Sequence, residues 1–246
     1  MELVYVISDV HGCYDLMEQA LEKFDPATMQ LVLIGDLMDR GPDSKKTWRK
    51  ALELVEKYGA IYLKGNHEDI LENFLQNPAD RLDNYLRNGG EVTMESFMHP
   101  GVLGEYSIEE LAVLWQNYYP QLLPSLQNRP YYYEFGDFIF VHAGVDLTLN
   151  NWKETSLHDL IWIREPFHLG KNNTGKTIVF GHTITPHLHG DNQTTNLWQS
   201  DHKIGIDGGA VYGGTMHGVL FSKDKLLKDY QFGPLEDNTS NDSAQF

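Results

Sequence analysis

Apolar runs alternate with amphipathic segments over the first quarter of the chain. Residues 3–7, 31–35 and 61–64 are short runs rich in Val, Ile and Leu, which predict β-strands. Between them, residues 14–24 and 44–58 carry apolar side chains at three- and four-residue spacing, which predicts two helices. Strands that alternate with helices in this way pair in parallel, so the pattern predicts an α/β fold with a parallel sheet.

The pattern changes after the third predicted strand, where the strand signal disappears. Apolar residues there recur at helical spacing, for example at Leu71, Phe74 and Leu75. We therefore expect a helical insert, or lid, over about residues 68–128.

The remainder of the chain is rich in strand signals. Residues 131–135 and 138–142, and further on 216–221 and 226–232, form two pairs of runs that flank turn residues, so each pair predicts a β-hairpin. Residues 177–181 predict one more strand. Parallel order early in the chain and hairpins late in the chain together predict a two-sheet β-sandwich flanked by helices.

The length of the chain is compatible with one large domain. Its 246 residues are 41% hydrophobic, which is enough to fill a core. We expect residues 1–234 to form this single domain. Residues 235–246 are rich in Asn, Asp and Ser and have little apolar surface to pack, so we expect a flexible C-terminal tail.

Charge and composition argue against several classes of partner. The formal net charge of −16 would repel a polyphosphate backbone, and no basic run with interleaved aromatics is present, so extended nucleic acid is not an expected partner. No signal peptide and no run of roughly 20 apolar residues is present, so we expect no membrane association and a cytoplasmic location. A single cysteine, Cys13, cannot form an internal disulfide.

Polar clusters follow five of the predicted strands. Loops at the carboxyl ends of strands in an α/β sheet converge on one crevice, so residues distant in sequence can meet there. The clusters are Ser8-Asp9-Val10-His11-Gly12, GDLMDRG at 35–41, GNHE at 65–68, His142-Ala143-Gly144 and Gly181-His182-Thr183.

These clusters contain six candidate metal ligands, which are carboxylates, imidazoles and one amide without a thiolate. Such a set suits manganese, with iron or zinc as alternatives. Six ligands are too many for one open catalytic ion but suit two ions that share a carboxylate, for which Asp36 is the natural bridge. Two dications acting on one water would supply a hydroxide that attacks phosphorus. The candidates are Asp9, His11, Asp36, Asn66, His142 and His182.

Other polar and aromatic residues allow more than one interpretation. The planar forks of Arg40 and Arg164 suit phosphate oxygens, although either could be an ordinary surface cation. Trp115, Tyr118 and Tyr119 could stack on a nucleobase, but aromatics at helical spacing are more often core residues, and we assign them no role.

The ordered motifs resemble the phosphoprotein phosphatase family of calcineurin-like metallophosphoesterases. That family carries GDxHG, GDxxDRG and GNHE, which stand here as SDVHG, GDLMDRG and GNHE, with Ser8 in place of the first glycine. The later HAG and GHT segments match as well, so the resemblance covers about residues 3–232. It is closest to small bacterial and phage lambda-type serine/threonine phosphatases, and it implies the calcineurin-like metallophosphoesterase fold.

The resemblance also implies roles for individual residues. His67 resembles the family's general acid and Asp39 its carboxylate partner, while Arg40 and Arg164 would hold phosphate. One departure is Lys64, where many members have arginine. The implied ligands are Asp9, His11 and Asp36 for the first metal, and Asp36, Asn66, His142 and His182 for the second.

The motifs do not separate protein substrates from nucleotide substrates. Symmetrical dinucleoside tetraphosphatases are similar through residues 8–15 and again around 208–215. Asp39 and Glu68 favour the protein phosphatase branch, because the dinucleotide hydrolases typically carry Ala and Asp there. The expected partner is thus a phosphorylated protein, with a dinucleoside polyphosphate as the alternative. A non-catalytic metal-binding protein is a third hypothesis, but it would be expected to have lost a ligand, and none is missing.

Overall fold

A computed structural model describes residues 2–233 of the chain, and this part contains eleven strands and ten α-helices. The strands are β1 (Leu3–Ile7), β2 (Met29–Leu33), β3 (Ile61–Tyr62), β4 (Tyr132–Phe135), β5 (Phe138–Val141), β6 (Thr177–Phe180), β7 (Trp198–Ser200), β8 (Lys203–Gly205), β9 (Asp207–Gly208), β10 (Thr215–Phe221) and β11 (Leu226–Phe232). The helices are α1 (Tyr14–Leu21), α2 (Ser44–Tyr58), α3 (Asn66–Gln76), α4 (Pro78–Arg87), α5 (Gly90–Phe97), α6 (Ile108–Tyr118), α7 (Leu122–Gln127), α8 (Leu157–Trp162), α9 (Glu165–Leu169) and α10 (Thr185–His189).

The strands form two mixed sheets. The first has the order β11-β10-β1-β2-β3, with β9 paired to β10, and the second has the order β4-β5-β6-β8-β7. Strands β1, β2 and β3 are parallel, as the alternation of strands and helices predicted. The two predicted hairpins are confirmed, because β4 pairs antiparallel with β5 and β10 pairs antiparallel with β11.

Strand β1 shows how the two faces of the first sheet are used. Val4 and Val6 pack into the core between the sheets, while Tyr5 and Ile7 point to the opposite face. There they meet apolar residues of α1 and α2. This alternation is the two-residue period of a strand with both faces buried, and it confirms the sandwich with flanking helices.

Helices α3 to α7 occupy the chain between β3 and β4 and share an apolar cluster of their own. Phe74, Phe97 and Trp115 are almost completely buried in it. Trp115 is therefore a core residue and is not available for stacking on a ligand. Met38, from the loop after β2, also belongs to this cluster, which ties the helical segment to that loop.

Several features differ from the sequence-based expectations or lie beyond them. Strand β2 begins at Met29, two positions earlier than predicted, because Met29 and Gln30 continue the pairing with β1. Strands β7, β8 and β9 are only two or three residues long and were not predicted. The expected tail at 235–246 lies outside the described residues. Within residues 2–233, no helix has the length and apolarity needed to cross a bilayer.

Candidate metal centre

Five of the six predicted ligands lie in loops that follow β1, β2, β5 and β6, the sixth, Asn66, is the first residue of α3 after β3, and all six side chains are buried. Within each sheet the strands that carry them are parallel, so their carboxyl ends point to one edge. The structure thus brings these loops together, as the polar clusters in the sequence indicated.

The backbone of these loops adopts an unusual conformation. A positive φ costs a residue with a Cβ on the order of 1–3 kcal/mol, and such strain concentrates at functional sites. Here a positive φ occurs at all six predicted site residues in the loops that follow β1, β2 and β6. The residues with positive φ in these loops are Asp9, His11, Asp36, Asp39, Arg40 and His182.

Asp36 lies between two groups of potential metal ligands. His11, Asp36 and His67 form one group, and Asp36, His142 and His182 form the other, with ligand atoms in each group within 4.8 Å of one another. The Nε2 atom of His11 lies 3.5 Å from Oδ2 of Asp36, whereas Nε2 of His142 lies 3.4 Å from Oδ1. Each oxygen of the carboxylate therefore faces a different group, which is an arrangement that allows Asp36 to bridge two ions.

Backbone carbonyls orient two of the imidazoles. Nδ1 of His11 lies 2.8 Å from the carbonyl oxygen of Met38, and Nδ1 of His142 lies 2.8 Å from that of Ile34. A carbonyl can only accept, so we assign the proton to Nδ1 and leave the Nε2 lone pair facing Asp36. Burial lowers the pKa of His11 well below its usual range and that of His142 to about 3, which favours the neutral, ligating form.

The donor set fits divalent cations. Lone pairs on nitrogen and carboxylate oxygens face each other, and the buried Nε2 atom of the candidate ligand His182 has no hydrogen-bond partner among the described residues. Burial, and then repulsion from neighbouring carboxylates, raise the pKa of Asp9 and Asp36 well above the usual range. A bound cation would satisfy these acceptors and offset the repulsion.

Asp9 and Asn66 hold different positions relative to the two groups. The carboxylate of Asp9 belongs to neither group and accepts the backbone N–H of His182 at 3.0 Å and the hydroxyl of Ser8. Ser8 stands where the resemblance has glycine, so this departure adds a hydrogen bond to the carboxylate. Oδ1 of Asn66 lies 2.9 Å from Nε2 of His142, beside the second group.

His67 and Asp39 form a buried pair. Nδ1 of His67 lies 2.7 Å from Oδ2 of Asp39, whose other oxygen accepts the Thr93 hydroxyl at 2.7 Å. The free Nε2 atom of His67 faces the site, 3.9 Å from Oδ2 of Asp36. Burial, and then the charge of Arg40, lower the pKa of His67 and oppose its protonated form.

Two arginines line a cavity of about 320 Å³ next to these groups. Nη1 of Arg164 donates to the hydroxyl of Thr183 at 2.8 Å. Nη1 of Arg40 lies 2.6 Å from Nε2 of His11, so an ion bound at His11 would displace this contact. Asp207 also lines the cavity, and burial raises its pKa to about 6.

Lys64 does not contribute to this cavity. Its ammonium lies 3.4 Å from Asp69 and also contacts Glu72, both on α3. Lys64 thus anchors the side of α3 to the end of β3, and the structure supports no phosphate contact for it.

Glu68 has a larger role than the sequence suggested. Glu68 is the third residue of α3, and its Oε2 accepts the N–H of Gly65 at 2.9 Å in a capping box. The same carboxylate also accepts the N–H groups of Asp36 and Leu37 at 2.8 and 2.9 Å and the hydroxyl of Tyr62 at 2.8 Å. Glu68 therefore joins the loop of Asp36 to the start of α3. The capping signal gave no sign of these non-local bonds.

Comparisons with known proteins agree with this geometry. Serine/threonine-protein phosphatase 1 of Salmonella typhimurium is 29% identical over 219 residues, covering 87% of this chain and 89% of that protein. The asymmetrical bis(5'-nucleosyl)-tetraphosphatase PrpE of Oceanobacillus iheyensis is 28% identical over 90% of each chain. The crystal structure of a candidate diadenosine tetraphosphatase shares the fold, with a TM-score of 0.65, 20% identity and coverage of 94% and 93% of the two chains.

A family model described as calcineurin-like phosphoesterase matches residues 3–218. The match begins at β1 and ends within β10, so it includes every loop that supplies a candidate ligand. With the shared fold and the His and Asp groups around Asp36, this match shows that the chain belongs to the calcineurin-like phosphoesterase family.

Proposed function

We propose that the chain is a dinuclear-metal-dependent phosphomonoester hydrolase that acts as a serine/threonine protein phosphatase. The observation that carries this proposal is the position of Asp36, which presents one oxygen to each of two ligand groups. Beside it lies a cavity lined by Arg40 and Arg164, which suits a phosphate dianion.

The two ions are proposed to be manganese, with iron or zinc as alternatives. The first would be held by Asp9, His11 and Asp36, and the second by Asp36, Asn66, His142 and His182. When bound, two such ions lower the pKa of a shared water and neutralise charge on the phosphoryl oxygens. The neutral imidazoles of His11 and His142 support this assignment, because neutral imidazole is the form that ligates a metal.

The arginines are proposed to hold the phosphate. Arg164 and Arg40 both line the cavity. The guanidinium of Arg164 donates to the hydroxyl of Thr183, and that of Arg40 lies beside the imidazole of His11. A guanidinium can donate two parallel hydrogen bonds to phosphate oxygens, which fixes the orientation of the group as well as its charge.

His67 is proposed to donate a proton from Nε2 to the oxygen of the leaving group. Its Nδ1 is held by Asp39, which fixes the ring and leaves Nε2 directed towards the site. A phosphate dianion bound nearby would favour the protonated imidazole and offset the lowering effect of Arg40.

Replacing His67 with Asn should lower kcat for a phosphoserine peptide by about 10²- to 10⁴-fold, the usual contribution of a general acid. The deficit should be smaller for p-nitrophenyl phosphate, because its leaving group departs largely without protonation. Asp39→Asn should show the same pattern more weakly. Steady-state kinetics with both substrates, together with the metal content of each variant, provide the measurement. Loss of metal from His67→Asn, or an equal deficit with both substrates, would remove the acid role.

The substrate class is the part of the proposal that most needs a direct test. Asp39 and Glu68 favour a phosphoprotein. The Salmonella relative, which the chain matches over most of its length, is named a serine/threonine-protein phosphatase. The Oceanobacillus relative, which matches a similar share of the chain, is named a bis(5'-nucleosyl)-tetraphosphatase and supports a dinucleoside tetraphosphate as the alternative substrate. We expect kcat/KM for a phosphoserine peptide to exceed that for diadenosine tetraphosphate by at least about 10-fold at matched enzyme and Mn²⁺ concentrations. The reverse ratio would transfer the assignment to the dinucleotide.

A further inference from the structure

Lys203 carries a buried ammonium at the start of β8, where the side chain is 1% exposed. Its Nζ atom donates to the carbonyl oxygens of Phe167 at 3.1 Å, His168 at 2.9 Å and Gly170 at 2.6 Å. A lysine ammonium has three donors, so all of them are used. A buried charge is costly unless it is satisfied, and here the carbonyls at the end of α9 satisfy it.

The other end of α9 begins at Arg164. The carbonyl oxygen of Arg164 accepts the N–H groups of Phe167 and His168 at 2.9 and 3.0 Å, which are the first bonds of the helix. The guanidinium of the same residue reaches the phosphate cavity. Helix α9 thus carries Arg164 at its start and is held by Lys203 at its end.

Phe167 provides a second attachment for α9. Its ring packs against Gly144, where an added Cβ would lie 2.5 Å from the ring, and Gly144 belongs to the segment that follows His142. The Nζ atom of Lys203 lies 5.6 Å from the centre of the same ring, so the helix contacts both the loop after β5 and Lys203. An isolated helix of five residues has too few internal hydrogen bonds to be stable, so these outside contacts fix its position.

We propose that Lys203 is a positioning residue for Arg164: by binding the last carbonyls of α9, it fixes the point from which the guanidinium enters the phosphate cavity. This inference rests on the proposed phosphate-binding role of Arg164. Without the ammonium, three carbonyls lose their partner and the end of the helix is held less firmly. A displacement of about 1 Å in a positioning group can lower activity by about 10²-fold.

A double-mutant cycle with the manganese-loaded enzyme tests the proposal, using Lys203→Met, Arg164→Ala and the double variant. The readouts are the inhibition constant of inorganic phosphate and the KM for p-nitrophenyl phosphate. Arg164→Ala should raise the inhibition constant by about 10- to 100-fold, since it removes hydrogen bonds to a charged group. Lys203→Met should raise it by about 3- to 10-fold, and the double variant should be no weaker than Arg164→Ala alone.

Lys176→Met is the control, because Lys176 also donates to a backbone carbonyl, that of Gly136 at 2.9 Å, and its other partner is Glu134 on β4. It should leave the inhibition constant unchanged. Lys203→Gln, which keeps a donor for the carbonyls, should recover part of the lost affinity and replaces Lys203→Met in the cycle if that variant does not fold.

The outcomes separate the two claims. Additive effects of Lys203 and Arg164, or a loss of thermal stability in Lys203→Met without any change in phosphate inhibition, would overturn the positioning role. An unchanged inhibition constant in Arg164→Ala would instead remove the proposed role of Arg164 itself.

Discussion

Removal of divalent ions is expected to abolish phosphate-ester hydrolysis by this protein, and addition of Mn²⁺ is expected to restore it. The buried imidazoles and carboxylates around Asp36 are arranged as ligands, and metal catalysis contributes several kcal/mol to such reactions. Hydrolysis of p-nitrophenyl phosphate should be measured before chelator treatment, after removal of the chelator, and after each metal is added back.

Circular dichroism of the chelated protein serves as the control, because lost activity has to be separated from lost structure. The sheets are closed by apolar cores that do not include the ligands, so we expect the chelated chain to remain folded. Undiminished hydrolysis by metal-free protein would contradict the proposed chemistry.

Replacing Asp36 with Asn should be more damaging than any other single ligand change and should reduce kcat/KM by at least about 10³-fold. The carboxylate faces His11 with one oxygen and His142 with the other, so one neutral amide weakens both sites together. Metal analysis of the purified variant, together with its kinetics, provides the measurement.

His182→Asn is the informative comparison for this variant. His182 belongs to one ligand group only, so its replacement should weaken the binding of one ion and leave the other ion bound. If Asp36→Asn retained two ions with near-native affinity, Asp36 would not be the bridge.

The clustering of the candidate ligands could be predicted because it follows from strand order. Parallel strands place their carboxyl ends at one edge, so the polar residues after β1, β2 and β3 had to be near each other. His142 and His182, from the second sheet, could be added to the set of candidate ligands because the HAG and GHT segments also follow strands. A local pattern was enough in these cases, since each candidate ligand lies within four residues of the end of its strand.

Residues that act through non-local contacts could not be predicted in the same way. The hydrogen bonds that the Glu68 carboxylate accepts from the N–H groups of Asp36 and Leu37 span more than 30 positions of sequence, and no local pattern encodes them. Asp207 reaches the cavity from β9, a strand of two residues that is too short to produce a periodic signal. In sequence, Lys203 looks like an ordinary lysine at the start of a strand. Only the structure shows that its side chain is buried and binds backbone carbonyls.

The most direct test of the dinuclear site is a titration of the metal-free protein with Mn²⁺, in which bound ions per chain and turnover are measured on the same samples. Our account predicts that binding saturates at two ions per chain and that most of the activity appears as the second ion binds. Saturation at one ion per chain with full activity would contradict it.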